Sequence, residues 1–441
     1  MLDCELCRRR EFSRRTFFHI SHRSHSLISH RNSSDFARHA HRCENRRHGV
    51  GFWIVAVAFL TAMAFSTAPS PLYPIYQQLN LLSTFTVTVV FAVYALGVVF
   101  SLLLVGHVSD LVGRKKILIP ALLLELGAAV LFMTSSSLVV LLIARFVTGL
   151  GIGILTATAT AYLYELHARH RPDRPSHRFD NVSTLANIGG LGVGPLIAGA
   201  LSQWTDAPLQ APYVVFAVAL AAVTVAVVIV PETTVAPSVR IAYRPQRIGV
   251  GQGDRPRYIA AATIGFASFA VIGLFTSVAT GFVAGTLHQT SRMLSGLILF
   301  LVFGAAALSG TSTRRLSPHV KARSGMGAMM AGMAAIMAGS AGQHFVVFVV
   351  GGVSAGAGAG ILFKSSVATV AAMAVPAARS EALAGLFFVS YLGLSLPVLS
   401  VGVTTHFVAL STAISILVGV VLVLLSTVAW FTRGTFVARS K

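Results

Sequence analysis

Two charged residues lie inside long apolar runs of this 441-residue sequence, where an ionised side chain is costly and is usually kept for a function. Glu125 is the only acid well inside such a run, and Arg145 lies in another. Apolar surroundings favour the neutral carboxylic acid, whereas a nearby arginine favours the carboxylate. These opposed effects suit a group that binds and releases a proton, so we expect Glu125 to carry protons and Arg145 to assist it.

Each of these two residues also has a structural explanation. Glu125 could be a carboxyl group that pairs with neighbouring helix groups, and Arg145 could extend its side chain along a helix to the membrane surface. Their positions place Glu125 nearer one side of the membrane and Arg145 nearer the other. Direct contact between them therefore stays open.

The composition indicates a membrane protein. Hydrophobic residues make up 55% and charged residues 11% of the sequence, against about 25% charged in a typical soluble domain, and the mean hydropathy is +0.76. An ordinary soluble enzyme and a wholly disordered chain are both excluded. The net charge of +20 does not indicate nucleic-acid binding, because eleven of the 34 lysines and arginines precede residue 49 and nearly all the others lie between apolar runs.

Twelve apolar runs are long enough, at about 20 residues, to cross a bilayer as helices. They cover residues 51–76, 84–105, 117–134, 138–163, 183–203, 212–230, 258–283, 293–311, 325–341, 344–363, 382–403 and 407–431. Basic residues concentrate in alternate loops, which places these loops and both termini in the cytoplasm. The basic linker 231–257 divides the runs equally. The sequence therefore predicts an all-α polytopic membrane protein, with 12 transmembrane helices in two six-helix bundles at 50–230 and 258–432.

The two ends of the chain lie outside these bundles. Residues 1–49 are rich in arginine and histidine and predict a disordered basic extension, with a translation start near Val50 as the alternative. Residues 433–441 predict a short cytoplasmic tail. Cys4 and Cys7 form a single C-x-x-C pair, and without a second pair this is weak evidence for zinc, so we expect no metal site. The excess of arginine over lysine favours a bacterial source and hence a bacterial inner membrane.

The loop 106–116, between the second and third runs, combines two spaced glycines, one acid and a basic cluster. Gly106 and Gly113 allow a tight turn and close approach of the backbone. Asp110 lies at a helix end, where a carboxylate can face the positive N-terminus of another helix. This spacing predicts a contact with a second helix in addition to a role in topology.

This loop resembles the hallmark loop of the major facilitator superfamily, G-x-x-x-D-[RK]-x-G-R-[RK], except that Leu111 replaces a basic residue. The resemblance implies a cytoplasmic gating loop that latches the two bundles together, with Asp110 facing the start of the eleventh span near Ser380. Arg114 and Lys115 then bind lipid headgroups or neighbouring acids.

Two further segments narrow this resemblance. Residues 145–151 are similar to the R-x-x-x-G-x-G element of the family, and residues 190–199 are similar to the G-x-x-x-G-P-x-x-G-G motif of its exporting, proton-antiporting branches. Two glycines four residues apart form a small face on which another helix can pack, and the proline bends the helix. The residues that carry this second motif are Gly190, Gly194, Pro195 and Gly199.

The resemblance places a substrate site between the bundles near the bilayer midplane. Tyr94, Asn187 and Tyr391 are the polar side chains expected to line an otherwise apolar cavity. Such a cavity suits a small amphipathic or drug-like molecule better than a sugar, which needs many amide and carboxylate partners. The first span, 51–76, lacks the acid that is common in the drug–proton antiporters of this family, so the coupling scheme stays open.

The predicted function is proton-coupled efflux by antiport, with alternating access, in a protein that is not an enzyme and needs no cofactor. No ATP-binding G-x-x-x-x-G-K-[ST] loop occurs in the sequence. Proton-coupled uptake of a metabolite by symport on the same fold is one alternative, and a membrane receptor or scaffold without transport is another. The expected partners are a small-molecule substrate, protons and anionic lipid headgroups at the basic loops, with no nucleic acid, and the expected unit is a monomer.

Overall fold

The computed structural model describes residues 28–105, 112–171, 177–234, 255–374 and 379–437. These residues form helices and no strand. Twelve of the described helices are long and apolar enough to span a membrane, which confirms the predicted number. They are α1 (Ile28–Thr67), α2 (Thr84–Val105), α3 (Arg114–Thr134), α4 (Leu138–His170), α5 (His177–Trp204), α6 (Ala211–Val228), α7 (Arg255–Gly285), α8 (Arg292–Ser312), α9 (Pro318–Ala341), α10 (Phe345–Met373), α11 (Arg379–Thr404) and α12 (Leu410–Val437).

The apolar surface of these helices explains why they form. Lipid offers no hydrogen bonds, so each backbone N–H and C=O must be satisfied within its own segment, and a helix does this. Val225 on α6 and Leu308 on α8 are 70% and 60% exposed. Exposed apolar side chains of this kind are suited to contact with lipid tails.

The first helix is longer than its apolar run. It begins at Ile28, inside the stretch 1–49 for which the sequence predicts disorder. Extending an existing helix by one residue is far easier than nucleating a new one, which accounts for polar residues that continue α1. Residues 1–27, with Cys4 and Cys7, lie outside the described residues.

Two of the long helices contain a segment of π-helix. In α5 it covers Leu185–Gly189, and in α7 it covers Leu274–Ala279. Such segments are rare and are frequent at functional sites, because the extra residue shifts the faces of the helix on either side.

Helices α1–α6 form a first half and α7–α12 a second half, which contact each other mainly where α2 packs on α11 and α5 packs on α8. One end of the bundle carries Arg114, Arg255 and Arg379, at the starts of α3, α7 and α11. We call it the basic end and the opposite end the far end. At the far end the Thr280 hydroxyl donates a hydrogen bond to the Ser70 carbonyl across the halves, at 3.0 Å.

Candidate functional site

The carboxyl group of Glu125 lies between α3 and α4 and is fully buried, at 0% exposure. Neither of its oxygens has a hydrogen-bond partner. A β-carbon at Gly151 on α4 would overlap Oε1 and lie 3.0 Å from Cδ, so the glycine is what gives the carboxyl its space. Burial of a carboxyl group without partners favours its neutral form.

Arg145 is also buried, at 1% exposure on α4. Its Nη1 donates a hydrogen bond of 2.7 Å to the Ser66 carbonyl of α1. The guanidinium carbon lies 4.7 Å from the ring centre of Tyr94 and 5.7 Å from that of Phe91, both on α2. A carbonyl and two aromatic faces therefore hold this cation, which is a recognised alternative to a carboxylate.

Glu125 and Arg145 lie at different depths in the bundle. Glu125 packs at Gly151, which is about 9 Å further along α4 than Arg145 at the usual helical rise. No hydrogen bond joins the two side chains, since the Glu125 oxygens have no partner. They are nevertheless close enough to interact electrostatically.

The three residues expected to line the cavity are not gathered at one point. Tyr94 is largely buried, at 6% exposure, and lies under the Arg145 guanidinium. Tyr391 on α11 is half-buried, and α11 packs across the seam on α2, the helix that carries Tyr94. Asn187 is half-buried in the π-helical segment of α5, along the other seam.

Tyr391 belongs to a group of four aromatic rings on three helices of the second half. The ring centre of Phe269 on α7 lies 5.3 Å from that of Tyr391 and 4.8 Å from that of Phe363 on α10. Phe363 in turn lies 5.9 Å from Phe387 on α11. All four side chains are half-buried, and we call them the aromatic cluster. Its three phenylalanines could not be identified from the sequence, because no local pattern relates residues on separate helices.

Two glycines of the α5 motif pack on α1, within the first half. A β-carbon at Gly194 would overlap the carbonyl of Ala64, and one at Gly190 would lie 2.8 Å from Cβ of Met63. The α5 and α1 backbones therefore touch along this face, as small residues four apart permit.

The remaining part of the α5 motif packs on α8, across the halves. A β-carbon at Gly199 would lie 2.5 Å from the Arg292 carbonyl, and one at Gly296 would overlap the Pro195 carbonyl. The motif thus joins α5 to its own half by one face and to the other half by another.

A cluster of polar side chains joins the helix ends at the basic end of the first half. Arg114 donates hydrogen bonds from Nε and Nη2 to Oε1 of Glu165 on α4, at 3.1 and 2.7 Å. Thr233, in the segment after α6, donates its hydroxyl to the other oxygen of Glu165, and Arg169 donates to the Thr233 carbonyl. We call these four residues, together with Glu232, the basic-end network.

Glu232 caps the N-terminus of α3. Its two carboxylate oxygens accept hydrogen bonds from the backbone N–H groups of Arg114 and Lys115, each at 3.0 Å. Gly113 adopts φ +118° directly before this helix, and a β-carbon there would lie 2.9 Å from Glu232 Oε2. A carboxylate at the positive end of a helix is stabilising. Gly106 and Asp110 of the predicted gating loop lie outside the described residues.

Arg114 and Lys115 were expected in this region from the sequence, whereas Glu165 and Glu232, the acids that bind them, were not. Glu165 precedes Arg169 by one helical turn, and Glu232 follows Pro231 at the end of the sixth apolar run. Their positions at helix ends could have identified both acids from the sequence, because helix ends leave backbone groups that need partners.

Twelve membrane-spanning helices in two halves, with a buried acid, a buried cation and a seam between the halves, are the architecture of a membrane transporter. The chain belongs to the Major Facilitator Superfamily, whose family model matches residues 54–398. It is therefore an integral, multi-pass membrane protein, in a family of small-molecule transporters whose members are generally not enzymes.

Two curated relatives share parts of the sequence. A bacillibactin exporter of Bacillus subtilis (strain 168) is 26% identical over 139 residues, which are 30% of this chain and 34% of the relative. The D-xylose-proton symporter-like 1 protein of Arabidopsis thaliana is 29% identical over 108 residues, which are 24% of this chain and 22% of the relative. The matched segments thus cover about a third of one relative and less than a quarter of the other.

Two solved structures share the fold over nearly their whole length. The human organic anion transporter MFSD10 has a TM-score of 0.62 and 17% identity, covering 87% of this chain and 99% of that one. A bacterial homologue of the human lysosomal transporter Spinster, in an inward-facing and unoccupied conformation, has a TM-score of 0.65 and 13% identity, covering 87% and 96%. These likenesses establish the two-bundle fold.

Proposed function

We propose that this transporter exports small amphipathic or drug-like molecules in exchange for protons. The observation that carries the proposal is the buried Glu125 carboxyl, whose oxygens have no hydrogen-bond partner. Losing its proton creates a charge that requires water or a cation, so the protonation state favours different arrangements of α3 and α4. A group of this kind couples proton binding to conformation.

In the proposed cycle the two halves expose a shared site to each side of the membrane in turn. Glu125 takes up a proton from outside and releases it inside, and the nearby positive charge of Arg145 favours release. One charge moved across ~100 mV supplies ~2.3 kcal/mol. This energy supports a concentration gradient of about fiftyfold for a neutral substrate.

The aromatic cluster supports the proposed substrate class. Aromatic side chains offer large apolar faces and prefer stacked or edge-to-face contacts with other rings. Phe269, Phe363 and Tyr391 are half-buried rather than sealed in the core. Together they offer an aromatic surface on which the Tyr391 hydroxyl is the one polar side-chain group, which suits an amphipathic molecule better than a sugar.

Proton-coupled uptake is the second candidate function, and two specific observations favour it. The first span contains no acid of the kind common in drug–proton antiporters. One relative is named a D-xylose-proton symporter-like protein. A receptor or scaffold that binds a ligand without transport is the third.

Transport in proteoliposomes with an imposed pH gradient tests these functions. Bacillibactin and D-xylose, from the names of the two relatives, are the first compounds to test, followed by a panel of amphipathic aromatic dyes. Antiport moves substrate against the direction of proton flow, and symport moves it along that direction. If a compound binds but neither substrate nor protons move across the membrane, the protein is a receptor or scaffold and not a transporter.

We also propose an orientation, a membrane and an oligomeric state for this transporter. The basic end and both termini lie in the cytoplasm of a bacterial inner membrane, with anionic headgroups at the basic loops and a monomer as the unit. Accessibility of cysteines introduced at Arg315 and Asp206, at the basic and far ends, would establish the orientation. Labelling of the Asp206 position from the cytoplasm would overturn it.

A further inference from the structure

One residue of the second half makes two hydrogen bonds to the first half at the far end. Arg292 is the first residue of α8. Its backbone N–H donates to Oε1 of Gln203 at 2.9 Å, and its Nη1 donates to the Ser202 carbonyl at 2.6 Å. Both acceptors belong to the last turn of α5, which ends at Trp204.

The guanidinium lies where a helix end is electrostatically negative. The last carbonyls of α5 have no partner within the helix, and the macrodipole places partial negative charge there. A hydrogen bond from an ionised donor is stronger than one between neutral groups. Among the described residues, no carboxylate pairs with Arg292, so the end of α5 is its counter-charge.

Close backbone packing fixes the geometry of this contact. The Arg292 carbonyl lies 2.5 Å from where a β-carbon of Gly199 would be. The same two helices touch again at Gly296 and Pro195. A small separation of α5 from α8 would therefore break both hydrogen bonds of Arg292 together.

We propose that Arg292 is a gating residue whose contacts with the last turn of α5 hold the far end closed. The contacts must break whenever the halves separate at that end. The inference depends on neither the direction of transport nor proton coupling, because it concerns only the relative movement of the two halves. Ser70 and Thr280, which also join the halves at the far end, are 0% and 1% exposed in this closed arrangement.

Labelling of a buried cysteine reports far-end opening directly. Ser70→Cys is introduced into a full-length chain in which Cys4, Cys7 and Cys43 are replaced by serine. The rate of reaction with a membrane-impermeant maleimide is measured in lipid nanodiscs without substrate. We expect Arg292→Ala to raise this rate roughly tenfold, since it removes a charged hydrogen bond.

Three further substitutions separate the contributions of charge and of general perturbation. Arg292→Gln retains a donor without the charge, so its rate should lie between those of the parent and Arg292→Ala. Gln203→Ala removes only the hydrogen bond between the Arg292 backbone N–H and Gln203, and it should raise the labelling rate about threefold. Arg315→Ala is the matched control at the basic end, where Arg315 is exposed, and should leave the rate unchanged.

A second reporter distinguishes opening from unfolding. Ala129→Cys on α3 is buried, at 0% exposure, and α3 packs on α4 and α6 away from the seam. Opening exposes Ser70→Cys alone, whereas unfolding exposes both cysteines. If Arg292→Ala unfolds, the labelling rate of Ser70→Cys in the Gln203→Ala variant decides the question. A rate equal to that of the parent in every folded variant at positions 292 and 203 would overturn the proposal.

Discussion

The carboxyl group of Glu125 occupies the space that a side chain at position 151 would fill. Gly151 belongs to α4 and Glu125 to α3, and a β-carbon on the glycine would lie 3.0 Å from the carboxyl carbon. Membrane helices pack closely through small residues, but here the space between the helices holds an acid. The pair therefore links the proposed proton carrier to the R-x-x-x-G-x-G element that also contains Arg145.

The first prediction concerns the charge of Glu125. Glu125→Gln keeps the shape of the side chain and fixes it in a neutral form, so substrate accumulation driven by a pH gradient should fall to background. Exchange of labelled for unlabelled substrate, which needs no net proton movement, should persist. Transport in proteoliposomes with and without a pH gradient measures both quantities.

The matched control is Asp206→Asn, since Asp206 is an exposed acid in the far-end loop. It should retain full pH-driven transport. Full pH-driven transport in Glu125→Gln would remove Glu125 from the coupling mechanism and leave it a structural carboxyl group.

The second prediction concerns the space at Gly151. In Gly151→Ala the new methyl group overlaps Glu125 Oε1, and overpacking of this kind typically costs about 1–3 kcal/mol. We expect lower thermal stability and a much lower transport rate. Gly127→Ala on α3 is the control, because a β-carbon at Gly127 meets nothing within 4 Å. Equal melting temperatures and rates for the two variants would contradict the role assigned to Gly151.

The sequence was informative about this region in part. The apolar runs predicted the number of helices. The four-residue spacing of Gly190 and Gly194 predicted a face on which another helix can pack. They did not predict that Gly151 accommodates Glu125, because that contact depends on the rotation of two helices about their axes. Periodicity gives little information on rotation when a helix is apolar on every face.

The contacts at the basic end are a second feature that could not be predicted from the sequence. Glu165 and Glu232 bind Arg114 from positions 51 and 118 residues away. Which acid meets which base is decided by the tertiary arrangement of helix ends. Local spacing contains no record of that arrangement, whereas the positive charge of the loop was evident from Arg114 and Lys115 themselves.

The third prediction concerns the contact between α5 and α1. Gly194→Ala places a methyl group on the Ala64 carbonyl, and backbone cannot move aside as a flexible side chain can. We expect a stability loss of about 1–3 kcal/mol or more and a strong decrease in turnover. Gly189→Ala is the control, one residue before the start of the motif at Gly190. A β-carbon at Gly189 meets nothing within 4 Å, so this variant should behave as the parent. Thermal melting and initial transport rates compare the two.

The fourth prediction concerns the cap of α3. Glu232→Ala leaves the backbone N–H groups of Arg114 and Lys115 without their acceptors, and loss of a helix cap costs about 0.5–2 kcal/mol. Glu232→Gln retains an acceptor without the charge, so it should be less destabilised. A pair of melting curves in detergent tests this order. Equal stability of both variants and the parent would show that the cap contributes nothing to the fold.

The last prediction separates the charge of Arg145 from its packing. Arg145→Ala removes the hydrogen bond to Ser66 and the contacts with Tyr94 and Phe91, and a charged hydrogen bond alone contributes about 1.5–3 kcal/mol. Arg145→Lys keeps the charge but loses the planar group that suits aromatic faces. We expect Arg145→Lys to recover pH-driven transport in part, because proton release from Glu125 depends on a nearby positive charge, while its stability stays below that of the parent. If Arg145→Lys instead regains stability without any pH-driven transport, the contribution of Arg145 is its geometry, and the charge plays no part in coupling.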